Sequence, residues 1–126
     1  MKSQAEAINF TKGMPFSDGY LVGSTLYVSG QQGPGPDGKL ASIDITLQTT
    51  NAIATVRKIV EQAGFRMSDI VSVTIYFTDL NDVPGMNAVY KELVPDPKPA
   101  RAAVRVAGLI GPARVEISAI AVRPEH

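Results

Sequence analysis

IVSVTIYFT, residues 70–78, is the stretch from which the organisation of the chain follows. Val71, Val73, Ile75 and Phe77 alternate with Ser72, Thr74, Tyr76 and Thr78. A period of two marks a strand with one face in a core. On either side the period lengthens to that of a helix. From about Asp44 to Ala63, apolar residues Ile45, Ala52, Ile53, Val56, Ile59, Val60 and Ala63 recur at spacings of three and four. Asp44 is placed to cap the start, and Gly64 to take the left-handed conformation at the end. A second helical pattern runs from Asp82 to about Leu93, with Val83, Met86, Val89, Tyr90 and Leu93 inward. Pro84 is tolerated in its first turn.

Further out, Tyr20–Val22 and Leu26–Ser29 flank Gly23-Ser24, a hairpin signal. GQQGPGPDGK (30–39) follows as a loop. PDPKP (95–99) cannot be regular structure, because its prolines fix φ and remove donors. Two more strands, about 101–107 and 114–122, are joined by a loop holding Gly108, Gly111 and Pro112. The order β-β-α-β-α-β-β is that of an α+β domain, with two helices packed on one face of a mixed sheet. If the last two strands pair as a hairpin with Ala107 opposite Arg114, odd positions of one share a face with even positions of the other. Arg101, Arg105 and Glu116 then occupy one surface, with the small residues Ala103 and Ser118 between them.

The bulk properties exclude several kinds of chemistry. The chain has 126 residues, the size of a single domain spanning 1–126. At this length a fold buries roughly two thirds of the unfolded surface and needs no staple. There is no cysteine, so disulfides, thiolate nucleophiles and cysteine–zinc sites are excluded. Twelve basic and twelve acidic side chains give zero formal charge, and no basic stripe suggests nucleic acid or a membrane surface. No apolar run approaches the roughly 20 residues of a membrane span. MKSQAEAINF lacks the apolar core of a signal peptide, so the expectation is a soluble cytoplasmic protein and Asn9-Phe10-Thr11 is a chance glycosylation match.

Gly33-Pro34-Gly35-Pro36-Asp37-Gly38 fits G-x-G-x-x-G literally, yet it is not a phosphate loop. Cradling a phosphate needs backbone N–H groups, which Pro34 and Pro36 lack. Pro36-Asp37-Gly38 reads as a turn. His126, the only histidine, is the last residue, where chains usually fray. Serine–histidine triads and histidine metal sites therefore lack their parts, and no carboxylates are spaced as a metal loop; neither metal nor cofactor is expected.

PKPARAAVRVAG (97–108) sets Arg101 among alanines and valines. Two readings of Arg101 and Glu116 stand side by side. One is a structural ion pair across strands, with Arg105 as an alternative partner for Glu116, worth about 0–1 kcal/mol if exposed. The other is a carboxylate-binding site, in which the guanidinium grips an anion through two parallel charge-assisted bonds. The alanines leave a small cavity for the rest of a small acid.

Pro15-Phe16-Ser17, LYVSGQ (26–31), VSVTIYFTDL (71–80), MNAVY (86–90), PAR (99–101) and VEISAIAV (115–122) extend the pattern over nearly the whole chain. On these residues the chain resembles the RidA/YjgF family, reactive-intermediate deaminases once labelled L-PSP endoribonucleases. The resemblance implies a chorismate-mutase-like fold, assembled as a homotrimer with pockets between subunits. It implies hydrolysis of small 2-imino or enamine acids, of the 2-iminobutanoate and 2-iminopropanoate type, to 2-oxo acids and ammonia. By correspondence Arg101 holds the substrate carboxylate and Glu116 orients the attacking water. Ser29 and Gly30 form pocket wall, and Asn87 matches a pocket asparagine. Three positions depart from the family pattern. Ala103 replaces a frequent cysteine, Phe16 replaces the tyrosine of Pro-Tyr-Ser, and Arg105 stands where many members have an acid. Phe16 and Ala103 keep their places in the pocket without a hydroxyl or thiol. Arg105 either competes for Glu116 or pairs elsewhere.

The expected activity is therefore a metal-free deamination of small imino acids. The alternative is a non-catalytic carboxylate-binding or interaction trimer of the same fold. The older ribonuclease label fits poorly with zero net charge, since phosphate neutralisation drives nucleic-acid affinity.

Overall fold

The computed structural model describes residues 5–35 and 44–123. Six strands form one sheet: β1 (Ala5–Ile8), β2 (Gly19–Val22), β3 (Thr25–Gln31), β4 (Ile70–Phe77), β5 (Ala100–Arg105) and β6 (Val115–Val122). Their spatial order is β1-β2-β3-β6-β4-β5. Every pairing is antiparallel except β4 with β5, which is parallel. Helices α1 (Ile45–Gln62) and α2 (Val83–Leu93) pack on one face, as the periodicity predicts for an α+β fold. β1 is absent from the sequence-based order. Its four residues, AEAI, supply only Ile8 to the core, too little for an alternation to register. No described helix is long and apolar enough to cross a membrane. The Pro36-Asp37-Gly38 turn and His126 lie outside the described residues.

α1 begins where the sequence predicts. Asp44 accepts a bond from the Thr46 N–H at 2.8 Å, satisfying one of the unpaired donors of the first turn. At the other end Gly64 adopts φ +86°. The Phe65 N–H then reaches the Val60 carbonyl and the Gly64 N–H the Glu61 carbonyl, a Schellman closure that a Cβ at 64 would strain.

The core lies between the helices and the strands beneath them. Val56 and Val60 of α1 and Met86 and Tyr90 of α2 meet Leu26 of β3, Ile75 of β4, and Val115 and Ile117 of β6. Leu26, Ile75 and Val115 are fully buried, each contributing about 1.5–3 kcal/mol of transfer free energy. Two inward assignments differ from the pattern. A register shift between Ile70 and Ser72 bulges β4, so Ile70 is buried and Val71 turns outward. At the end of α2, Leu93 is exposed and Val94 takes the core position, because Val94 leaves the helix and its extended backbone re-aims the side chain.

The expected hairpin of the last two strands does not form. β6 lies between β3 and β4, antiparallel to both, while β5 pairs in parallel with the far side of β4. Ala107 and Arg114 lie outside the paired strands. The burial pattern explains the choice. β6 carries Val115, Ile117, Ala119 and Ala121 on its inward face, all buried, and belongs beneath the helices. Every residue of β5 is exposed, as suits an edge.

One buried polar network ties these elements together. Asp82, 5% exposed, opens α2 and is held by a two-pronged Arg114 guanidinium, with Nε donating to Oδ2 at 3.0 Å and Nη2 to Oδ1. The Arg114 N–H in turn donates to Oε1 of buried Gln48 in α1, at 2.9 Å. Asp82 is the more deeply buried partner. Arg114→Met is therefore expected to cost about 3 kcal/mol in urea unfolding, because it strands a desolvated carboxylate. Asp82→Asn is expected to cost less; the reverse order would show that Arg114, not Asp82, is the group buried at risk.

Candidate active site

The sequence-predicted site residues fall into two groups on opposite faces of the sheet. The registers fix this. Arg101, Ala103 and Arg105 lie level with Val73, Ile75 and Phe77, whose side chains point toward the helices. Glu116 lies level with Tyr76, and Ser118 with Thr74, on the face the helices leave uncovered. The expected common surface of Arg101, Arg105 and Glu116 is thus corrected. It required β5 and β6 to be neighbours, whereas β4 stands between them.

On the helix side, Arg101 Nη1 donates to Asn87 Oδ1 at 2.9 Å. Its guanidinium carbon stands 4.8 Å from the centroid of the Tyr90 ring, a cation–π contact. Asn87 and Tyr90 are three apart on α2, so one helical face supplies both supports. No carboxylate among the described residues pairs with Arg101, and the structural ion-pair reading finds no support. Arg105 does not approach Glu116 either; its Nε donates to the Thr78 carbonyl at 3.3 Å. Ala103 lies on the same side of β5, with no atom beyond Cβ to crowd the fork.

On the open side, Glu116 borders a cavity of about 790 Å³, with Phe16, Ser29, Gly30, Gln32 and Ile110 on its walls. A second bulge builds it. β3 pairs Val28 with Ala119 but Gln31 with Ile117, so Ser29 and Gly30 together oppose a single residue of β6. Ser29 is fixed there: its N–H donates to the Asp18 carbonyl at 2.9 Å and its hydroxyl to the Ser17 carbonyl at 2.6 Å. Gly30 faces the acid directly, since a Cβ at that position would lie 2.2 Å from Glu116 Oε2. Phe16 is 53% exposed and Ile110 87%, leaving apolar surface at the mouth. Gln32, which the sequence reading passed over, donates from Nε2 to Glu116 Oε1 at 3.2 Å and to the Ile110 carbonyl at 3.0 Å. Only the bulge brings Gln32 rather than Gln31 beside Glu116, and a bulge leaves no pattern in a run such as VSGQQG. Tyr90 was legible only as a core residue.

A family model described as Endoribonuclease L-PSP matches residues 8–123. The chain belongs to this family, the RidA/YjgF proteins. It is 41% identical over 108 residues to a RutC family protein of Pyrococcus abyssi, covering 85% of each chain. It is 38% identical over 110 residues to the 2-iminobutanoate/2-iminopropanoate deaminase of Capra hircus, covering 86% of this chain and 80% of that one. Among solved structures, E. coli TdcF with bound serine superposes with a TM-score of 0.84 at 34% identity, over 94% of both chains. The fold of the RidA/YjgF family is thus the one described above.

Gly30→Ala is expected to drive the Glu116 carboxylate off its seat and break its bond to Gln32. A crystal structure of the variant showing the carboxylate unmoved would contradict the close approach. Tyr90 carries a second expectation. Its hydroxyl is buried, with no hydrogen-bond partner among the described residues. Burial pushes the phenol above its ordinary value of 10.0, an effect that the Arg101 charge opposes. Above about pH 10 the unfolded phenol loses its proton while the folded one keeps it, so the unfolded state binds fewer protons and stability falls as pH rises. Below that pH the contribution is fully present. Melting temperatures followed upward from pH 9 should fall less steeply for Tyr90→Phe than for wild type.

Proposed function

We propose that the protein hydrolyses small 2-imino acids to 2-oxo acids and ammonia, in pockets assembled between copies of the chain. The observation that carries this reading is the pair of incomplete half-sites. Among the described residues, Arg101 is a preorganised anion clasp paired with no carboxylate, and Glu116 is an acid at a cavity paired with no cation. Each supplies what the other lacks, and the sheet keeps them apart within one chain. Relatives named as imine deaminases, and a related structure with bound serine, itself an amino acid with an α-carboxylate, point to the same class of ligand.

Assembly has physical support. The uncovered sheet face presents Tyr20, Val22 and Tyr27, with Val104 on the edge strand, all substantially exposed. Apolar surface of this kind is stabilised by burial against a partner. Three copies is the number that the family resemblance implies. The cavity at Glu116 is far larger than a four-carbon acid and leaves room for the Arg101 edge of a second chain.

The chemistry asks little of the protein. A protonated imine is already electrophilic, so positioning and one proton acceptor suffice. Arg101 clasps the substrate carboxylate in its fork. A water held by Glu116 attacks C2, forming the C–O bond as Glu116 takes the water proton and the C=N electron pair moves to nitrogen. Glu116 then returns the proton to the amino group. The C–N bond then breaks with its electron pair leaving on ammonia, the hydroxyl O–H pair closes the C2 carbonyl, and Glu116 accepts the hydroxyl proton and passes it to ammonia or solvent. Phe16 and Ile110 offer apolar surface to the substrate's side chain.

The test couples the protein to a dehydratase that releases 2-iminobutanoate, with the surviving imine trapped as its semicarbazone. Wild type is expected to speed imine loss. Arg101→Lys and Glu116→Gln are each expected to lose this by about a hundredfold or more, since an ammonium lacks the fork and an amide cannot take the proton. Mixing the two variants by co-refolding should restore activity in about a quarter of sites, those pairing an intact arginine with an intact glutamate across an interface. Absence of any recovery, with assembly confirmed by light scattering, would sink the shared-site reading. Binding of 2-oxobutanoate without turnover would instead leave a carboxylate-binding module, the reading that the loss of thiol and phenol at Ala103 and Phe16 would favour.

A further inference from the structure

The Glu116 centre contains a donor that none of the family-matched motifs includes. LYVSGQ ends at Gln31. It is the next residue, Gln32, whose carboxamide nitrogen reaches both the Glu116 carboxylate and the Ile110 carbonyl. A carboxamide has two N–H donors, and here each has an acceptor. Among the described residues no donor reaches Glu116 Oε2, the oxygen that lies over Gly30.

The segment carrying Gln32 is itself held. The Pro34 carbonyl accepts a bond from Asn51 Nδ2 of α1 at 3.1 Å. A Cβ on Gly33 would lie 2.0 Å from the Gln48 carbonyl, so the backbone here runs against the helix with no room for a side chain. Gln48 also receives the Arg114 N–H, two residues before Glu116. The amide donor and the carboxylate acceptor are therefore mounted on the same rigid end of α1. Rigid mounting of this kind holds a reacting group in one geometry.

We propose that Gln32 is a positioning residue of the Glu116 centre. Its amide occupies Oε1 and so presents Oε2 alone to the attacking water, while its second N–H ties the connection between β5 and β6 to the cavity rim. This rests on the imine-hydrolysis reading above. The proton path is unchanged: Oε2 takes the water proton and later returns it, and Gln32 neither gains nor loses one.

Two variants test it, each first shown by circular dichroism to be folded. Gln32→Met keeps length and removes the donor; it is expected to lower kcat on the order of tenfold to a hundredfold with KM little changed, because carboxylate clasping by Arg101 is untouched. Gln32→Glu places a second carboxylate against Glu116, and two such groups tend to share a proton. Its rate relative to wild type is therefore expected to climb with pH, a dependence that a merely structural link would not produce. A third measurement needs no substrate. In protein labelled with carboxyl-¹³C glutamate, the Glu116 resonance should move in Gln32→Met. Wild-type kcat and a flat relative pH profile in the variants would overturn the positioning role. An unmoved Glu116 resonance in Gln32→Met would overturn the contact itself. Wild type inert toward imines sinks the deaminase reading instead, and the carboxyl resonance then decides the tether by itself.

Discussion

The arrangement depends on one constraint, the position of β4 between β5 and β6. A strand sends successive side chains to opposite faces, so pairing registers determine which residues can meet. β4 pairs its odd residues with the odd residues of β5 and its even residues with the even residues of β6. Arg101 and Glu116, fifteen residues apart in sequence, are thereby sent to opposite faces. A fork and an acid separated by a sheet can act on one small molecule only when a second chain presents the missing half. The exposed edge at β5 and the uncovered aromatic face are consistent with that arrangement.

Each half is preorganised by different means. Arg101 lies against the Tyr90 ring and is steadied by Asn87, two supports from one helical face. Glu116 is seated by a bulge that brings two residues against one, by a glycine with no Cβ to obstruct it, and by an amide from the next residue but one. Asp82, Arg114 and Gln48 fasten the start of α2, the start of β6 and the first turns of α1 together. The helix that carries Asn87 and the strand that carries Glu116 are therefore anchored at one point, though these two side chains face different ways. That network is buried and bidentate, so it specifies geometry more than it adds stability.

The departures from the family pattern leave this framework intact. Phe16 lines the cavity at Glu116, and Ala103 lies on the same side of β5 as Arg101. Arg105, which sequence reasoning places as a rival for Glu116, bonds a backbone carbonyl on the opposite face. It cannot divert the acid within the chain. The positions where this chain differs therefore leave the placement of Arg101 and Glu116 unchanged.

Local structure was legible in the amino-acid order: the α1 cap at Asp44, the left-handed end at Gly64, and the alternation through β4 from Val73 onward. These are properties of segments, set by side-chain periodicity and backbone conformation. Strand neighbours were not legible in the same way. Whether β5 joins β6 or crosses to the far side of β4 depends on which strand has apolar residues to lay beneath the helices, a competition among segments distant in sequence. The bulges at Ser29–Gly30 and Val71 were equally silent, since each is a mismatch between two strands rather than a feature of either. Only the tertiary structure decided that Gln32 meets Glu116 and that Arg101 does not, because register, unlike composition, is a relation between chains of atoms that the fold alone brings side by side.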